Sequence, residues 1–317
     1  MSPTVLSACA GWAISEEIFM DQRDFVGYGG KPPAVHWPGG ARIAVSFVVN
    51  VEEGAEFSVA DGDARNEAIY EVIHPLFGKP DSCIDSHFEY GTRAGYWRIA
   101  DVLREVNVKA TFSTCGLVAV RLPSLVADAA RRGHEISAHG WRWESHVDIA
   151  EADERELIGK TVTAIRAATG RSPVGWHTRS ATSANTRRLL VEHGGFLYDS
   201  DAYNDDLPYF VEPQGKRHLV LPYSFDTNDM HFHHTHRFVR AHDFSGYVCD
   251  AFDWLWREGG SSPKMMSVGL HLRMVGRPGR MAALEQIITH MRQKGHVWFA
   301  TREEIARHWW STFGPAS

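Results

Sequence analysis

The chain has 317 residues, of which 44% are hydrophobic, 23% charged and 11% aromatic; these are the proportions of a folded globular protein and exclude disordered, collagen-like and coiled-coil classes. With 33 basic and 39 acidic side chains the formal charge is −6, and no basic run exists, which argues against nucleic acid as a partner. No apolar stretch approaches the ~18 residues of a membrane span, and four scattered cysteines form no C-x-x-C pair, so no membrane partner and a cytoplasmic location are expected.

Residues 1–19 hold an apolar patch with no positive charge before it and read as an extension ahead of a start at Met20; residues 20–317 read as one domain. After a Gly- and Pro-rich lead-in, the run IAVSFVV over 43–49 predicts a buried strand, followed by Asn50, Glu52 and Glu53. Residues 55–89 read as a long loop. Spacing then predicts helices over 94–106, 123–132, 151–169, 183–192, 244–256, 280–292 and 302–310, the last opened by the capping pair Thr301 and Glu304. Strands are predicted over 110–114, 135–138, 174–176, 196–198, 219–222, 266–270 and 297–300. Such alternation implies parallel strands with helical crossovers, and no Gly-rich phosphate loop follows any strand. The expectation is a single α/β domain of barrel type.

Polar clusters recur where these strands end: Asn50, Glu52 and Glu53; His139, Arg142 and Trp143; Trp176, His177 and Arg179; Asp226, Asn228 and Asp229; His271 and Arg273. In a parallel barrel those ends open onto one face, where active sites are built. Taken singly, His139 and His271 also suit satisfied core histidines, and Trp141 and Trp143 suit core aromatics. The cluster His231, His233, His234 and His236 reads as a polar loop rather than a metal tract, and Asp61-Gly62-Asp63 lacks the later ligands of a calcium loop. Convergence of five clusters favours an enzyme and leaves the reaction open.

At these residues the sequence resembles the polysaccharide-deacetylase (NodB-like) superfamily, most closely its metal-independent allantoinase (PuuE-type) branch. The resemblance runs from about Asp24 to Trp310 and is carried by VGYGGKPP, HWPGGARIAVSFVVNVEEGAE, EYGTRAGYWRI, HGWRW, GGFLYDSDAYNDDLPY, DTNDM, PKMMSVGLHLR with GRPGR, and VWFATREEIARHW. It implies a distorted (β/α) barrel with fewer than eight strands. It also implies a homotetramer, for which Trp298, Trp309 and Trp310 are candidate contacts. In metal-dependent members an Asp and two His of an H-x-x-x-H turn hold zinc. Those positions match Glu52, His139 and Trp143 here, and the usual catalytic Asp matches Asn50. Two of the four groups are therefore replaced, as the allantoinase branch implies. The alternative is a zinc site on Glu52 and His139 completed by His146 or His177. The segment GWHTRSATSANTRR departs from the branch's pattern at His177 and Arg179, which leaves the ring substrate open.

The resemblance implies a hydrolase that opens a cyclic amide, a hydantoin or imide-like ring with allantoin the leading candidate, without a cofactor. Such a reaction requires a base, an acid and a group that stabilises the oxyanion. Glu52 is assigned as base, His139 as the group orienting water, and His271 as acid, since an imidazole titrates near neutral pH. Arg93 or Arg273 would stabilise the developing charge, Trp143 and Trp176 would sandwich the ring, and Asn228, His177 and Arg179 would line the substrate side. The alternatives are a zinc-dependent N-deacetylase of an acetylated sugar or small amide, and a non-catalytic binder of a small heterocycle.

Overall fold

The apolar run that opens the domain forms β1 (Ile43–Val51), buried along its whole length. Such a run suits a strand covered on both faces. On one edge β8 (Lys264–His271) pairs with it in parallel, from Ile43 opposite Lys264 to Asn50 opposite His271. On the other edge its first residues pair with β9 (Val297–Phe299) and its last with β2 (Thr111–Thr114). A computed structural model describes this architecture for residues 23–69, 72–233 and 237–315.

From β2 the sheet continues through β3 (Glu135–Ala138), β4 (Gly175–Trp176), β5 (Tyr198–Asp199) and β7 (His218–Val220) to β6 (Tyr209–Val211). Every pairing is parallel except β6 with β7. A single bridge between Asn228 and Gly269 brings the segment after β7 against β8. Helices cover the outside: α1 (Ser82–Tyr90), α2 (Tyr96–Glu105), α3 (Gly116–Arg121), α4 (Pro123–Arg131), α5 (Glu151–Thr169), α6 (Thr186–His193), α7 (Ala241–Glu258), α8 (Pro278–Lys294) and α9 (Arg302–Phe313). The result is the distorted α/β barrel that the alternation predicts.

Several expectations change. The predicted loop over 55–89 ends early, because α1 starts at Ser82, where the Asp81 carboxylate caps the amides of Cys83 and Ile84. A π-helical turn, Gly91–Gly95, joins α1 to α2. Neither α3 nor β6 is predicted from the sequence; both are too short to display a period. The C-terminal tryptophans make contacts within the chain. Trp309 is buried and packs with Trp298 around Trp37, while Trp310 donates to the Leu197 carbonyl. Cys83, Cys115 and Cys249 are free thiols. Residues 23–34 belong to a separate unit, turned by Asp24 accepting from the amides of Val26 and Gly27, and the unit from Val35 onward carries the barrel. The expected extension over 1–19 lies outside the described residues. Among those described, no helix is long and apolar enough to cross a membrane.

The barrel interior is tied together by Arg302, the first residue of α9, which is fully buried. It donates to the hydroxyls of Ser200 and Ser267 and to the carbonyls of Leu221 and Pro222, linking the ends of β5 and β7 to the middle of β8. Each buried acceptor left without a partner costs roughly 1–3 kcal/mol, and the missing side chain adds a cavity. Arg302→Ala is therefore expected to lower unfolding stability by roughly 2–5 kcal/mol in a denaturant titration. A loss below about 1 kcal/mol would show that its bonds are replaced without cost.

Candidate active site

Because the paired strands run parallel, their C-terminal ends share one edge, and a cavity of about 530 Å³ lies there. Its walls include Asn50 and Glu52 from the end of β1, His139 after β3, His177 after β4, Tyr223 after β7, and His271, the last residue of β8. Arg179, Asn228 and Trp143 complete the inner surface, with Ile69, Tyr203, Phe225 and Met230 supplying apolar area.

Glu52 is the centre of the polar contacts. Its Oε1 lies 3.2 Å from His139 Nε2 and 3.4 Å from His271 Nε2. Its Oε2 lies 2.8 Å from a guanidinium nitrogen of Arg273. Burial by itself pushes the Glu52 carboxyl up, but the cations of His271 and Arg273, with the hydrogen bond from His271, outweigh it. They hold the group well below the usual carboxylate range, so Glu52 is ionised. His271 is the complementary case. Burial disfavours its charge, yet Glu52 and Asp229 together raise it to about 9, so it is an imidazolium at neutral pH.

Asp229 fixes His271. One carboxylate oxygen accepts from His271 Nδ1 at 2.6 Å; the other accepts from the backbone amides of His271 and Val275. With Nδ1 so committed, Nε2–H is directed at Glu52. His139 is set in a similar way: Nδ1 donates to the His177 carbonyl at 2.8 Å, leaving Nε2 toward Glu52. His177 stacks on His139 with ring centroids 4.8 Å apart. Burial holds His177 well below the ordinary histidine value, so it is neutral, and neither ring nitrogen has a hydrogen-bond partner among the described residues. Beneath Glu52, Glu53 accepts from the Glu52 and Arg273 amides. A Cβ at Gly91 would fall 2.4 Å from the Glu53 carboxylate, so the π-helical turn passes here only as glycine.

The structure thus gathers Glu52, His139, His271, His177, Asn228, Arg179 and Trp143, and separates the other residues expected at the site. Trp176 is fully buried in the layer between sheet and helices, its indole donating to Thr178, so it cannot face a ring. Arg93 is exposed on the π-helical turn beside Glu89. Arg273 is fully buried behind Glu52, paired with Glu52 and Glu53, and is not part of the cavity wall. Trp143 borders the cavity, but guanidinium groups of Arg179 and Arg273 lie over its ring at 3.5 and 4.7 Å, so it is not a free platform. Arg179 itself is paired with Glu67. His146 is bound to Glu154 in a separate buried cluster with Ser183 and Thr186. The roles of Asp229 and Tyr223 are not read from the sequence, although Asp229 sits in one of its polar clusters.

The donors do not suit zinc. A divalent cation on Glu52 would stand beside the Arg273 guanidinium and the His271 imidazolium, and the side chain at the second histidine position is an indole. Among the described residues no three His, Cys, Asp or Glu side chains are grouped to hold a metal ion.

Over residues 78–196 the chain matches the sequence profile of the family described as polysaccharide deacetylase. It is 38% identical over 311 residues to a Schizosaccharomyces pombe protein named as a polysaccharide deacetylase, spanning 91% of this chain and 97% of that one. Among solved structures, a Pseudomonas aeruginosa PAO1 protein of the same designation superposes with a TM-score of 0.89 at 45% identity. PuuE allantoinase superposes with a TM-score of 0.89 at 44% identity, and both alignments span 93% of this chain and 99% of the other. The chain belongs to the polysaccharide deacetylase family of hydrolases, on the branch that holds PuuE allantoinase.

Proposed function

We propose that this protein hydrolyses a ring amide of the hydantoin or imide kind, with Glu52 as base and His271 as acid and without a metal. The observation that carries this reading is the buried contact between an ionised Glu52 and a protonated His271, 3.4 Å apart at the floor of the cavity. It is the pairing that amide hydrolysis requires: an acceptor for a proton of water and a donor for the departing nitrogen. The likeness to PuuE allantoinase supports the ring class and makes allantoin the first ring to test.

In this reading a water held by His139 Nε2 and Glu52 attacks the ring carbonyl carbon. A C–O bond forms, the ring C–N bond breaks, one water proton goes to Glu52, and the nitrogen takes the proton of His271 Nε2. The second water proton is released when the new carboxylic acid ionises. As His271 gives up its proton, the positive charge that depresses Glu52 is lost, so the proton affinity of Glu52 rises as it is needed. The Glu52–His271 contact then returns the proton and restores both groups. Asp229 and Arg273 are positioning residues: one orients His271, the other holds Glu52.

Hydrolysis of allantoin, substituted hydantoins, dihydropyrimidines and cyclic imides, with and without chelator, tests the reading. At least one ring should be opened at a rate that chelation leaves unchanged, and His271→Asn should lower kcat roughly 10²–10⁴-fold with a much smaller change in KM. Chelator-sensitive release of acetate from an N-acetyl sugar, with every ring untouched, would replace it with zinc-dependent deacetylation.

The pH profile provides a separate check. Glu52 must be ionised and His271 protonated, so kcat/KM should hold through neutral pH and fall as pH rises through about 9. Asp229 raises the His271 value, so Asp229→Asn should move that alkaline limb toward neutral pH. A limb that stays fixed would mean that another group controls it.

A further inference from the structure

The reaction above lacks a group for the carbonyl oxygen, since Arg93 lies outside the cavity and Arg273 behind Glu52. The hydrogen bonds of Tyr223 supply one. Tyr223 is buried, borders the cavity, and lies with its ring 4.7 Å from that of His177. Its hydroxyl rests on β8 at Gly269, where a Cβ would fall 2.3 Å from the hydroxyl oxygen. Two side-chain amides donate to that oxygen: Asn50 Nδ2 at 3.1 Å and Asn228 Nδ2 at 3.2 Å.

Both amides are fixed as donors by their other bonds. Asn50 Nδ2 also donates to the Leu270 carbonyl, and Asn228 Oδ1 accepts from the Met230 amide. The phenol oxygen is therefore an acceptor twice, and its own hydrogen must point elsewhere. Among the described residues no acceptor meets that hydrogen. Buried hydroxyl donors ordinarily have partners, so one kept without a partner beside a cavity calls for a ligand. Donation into the oxygen also polarises the O–H bond and strengthens it as a donor. Burial keeps the phenol above its ordinary pKa, so the hydrogen is retained at any working pH.

We infer that Tyr223 is a catalytic residue whose hydroxyl donates to the carbonyl oxygen of the amide under attack, with Asn50 and Asn228 holding it in place; this rests on the hydrolytic reading above. When water adds, the carbonyl π electrons collect on oxygen and Tyr223 stabilises them by hydrogen bonding without transferring its proton. When the C–N bond breaks, the electrons return and the carbonyl re-forms. Asn50, which stands where related enzymes carry an aspartate, serves here as a donor to Tyr223, a role that an ionised carboxylate could not fill.

Tyr223→Phe removes the hydroxyl alone. On a ring that the wild type opens, kcat should fall roughly 10²–10³-fold, with KM within a few-fold and the thermal transition preserved. Retained kcat, or a rise in KM alone, would overturn the inference. A second readout does not depend on turnover: the infrared carbonyl band of a ¹³C-labelled ring bound to Glu52→Gln enzyme. The band should lie below its position in water and shift back when Tyr223→Phe is added; an unchanged band overturns the inference. If the wild type opens no ring but cleaves a linear acetamide, the ring reading fails. Tyr223→Phe assayed on that acetamide then decides the role of Tyr223 by the same fold-change. An enzyme that hydrolyses neither overturns both.

Discussion

A carboxylate as deeply buried as Glu52 stays ionised only if cations stand against it, since removing such a charge from water costs several kcal/mol even after relaxation. Arg273 and His271 are those cations, and each has a second carboxyl partner. Arg273 takes Glu53 as well as Glu52, and His271 takes Asp229. The site is therefore a chain of alternating carboxyl and basic groups, Glu53–Arg273–Glu52–His271–Asp229, closed off from solvent except where Glu52 and His271 reach the cavity. Removing any member takes a charged or polar partner from a neighbour that is itself buried. In the proposed reaction the outer members anchor and the inner pair handles protons.

That chain determines much of the surrounding architecture. Glu52 and Glu53 follow β1, His271 ends β8 and Arg273 follows it, and Asp229 comes from the segment that bridges to β8 at Asn228. The parallel register of β1 with β8, which sets Asn50 opposite His271, brings Glu52 and His271 together. Glycine is required at two close approaches: Gly91, where the π-helical turn passes Glu53, and Gly269, where Tyr223 and Asn228 press on β8. Deeper in the barrel Arg302 joins residues after β5 and β7 to the middle of β8 through neutral partners.

Much of this was legible in the sequence, for a specific reason. Parallel strands end on one edge, so polar residues that directly follow apolar runs converge, and Glu52, His139, His177, Asn228 and His271 do so. What failed was the direction of neighbouring side chains. Trp176 and His177 are adjacent, and strand alternation sends one into the helix-facing core and the other into the cavity. Arg273 was expected to reach substrate, yet it points behind the carboxylate it supports. Arg93 follows α1, a helix concealed in a segment that reads as loop even though Asp81, Ile84 and Phe88 mark its cap and buried face. Tyr223 after an apolar strand resembles any core tyrosine, and its role depends on two amides whose direction only the folded chain reveals.

His271, the proposed acid, is charged before substrate arrives because Glu52 and Asp229 flank it. The direct measurement is an NMR titration of ¹⁵N-labelled histidine, with His271→Asn used to assign the resonance. His271 should remain an imidazolium through neutral pH and lose its proton near pH 9. A neutral ring at pH 7, or titration at or below the ordinary value of 6.5, would contradict it.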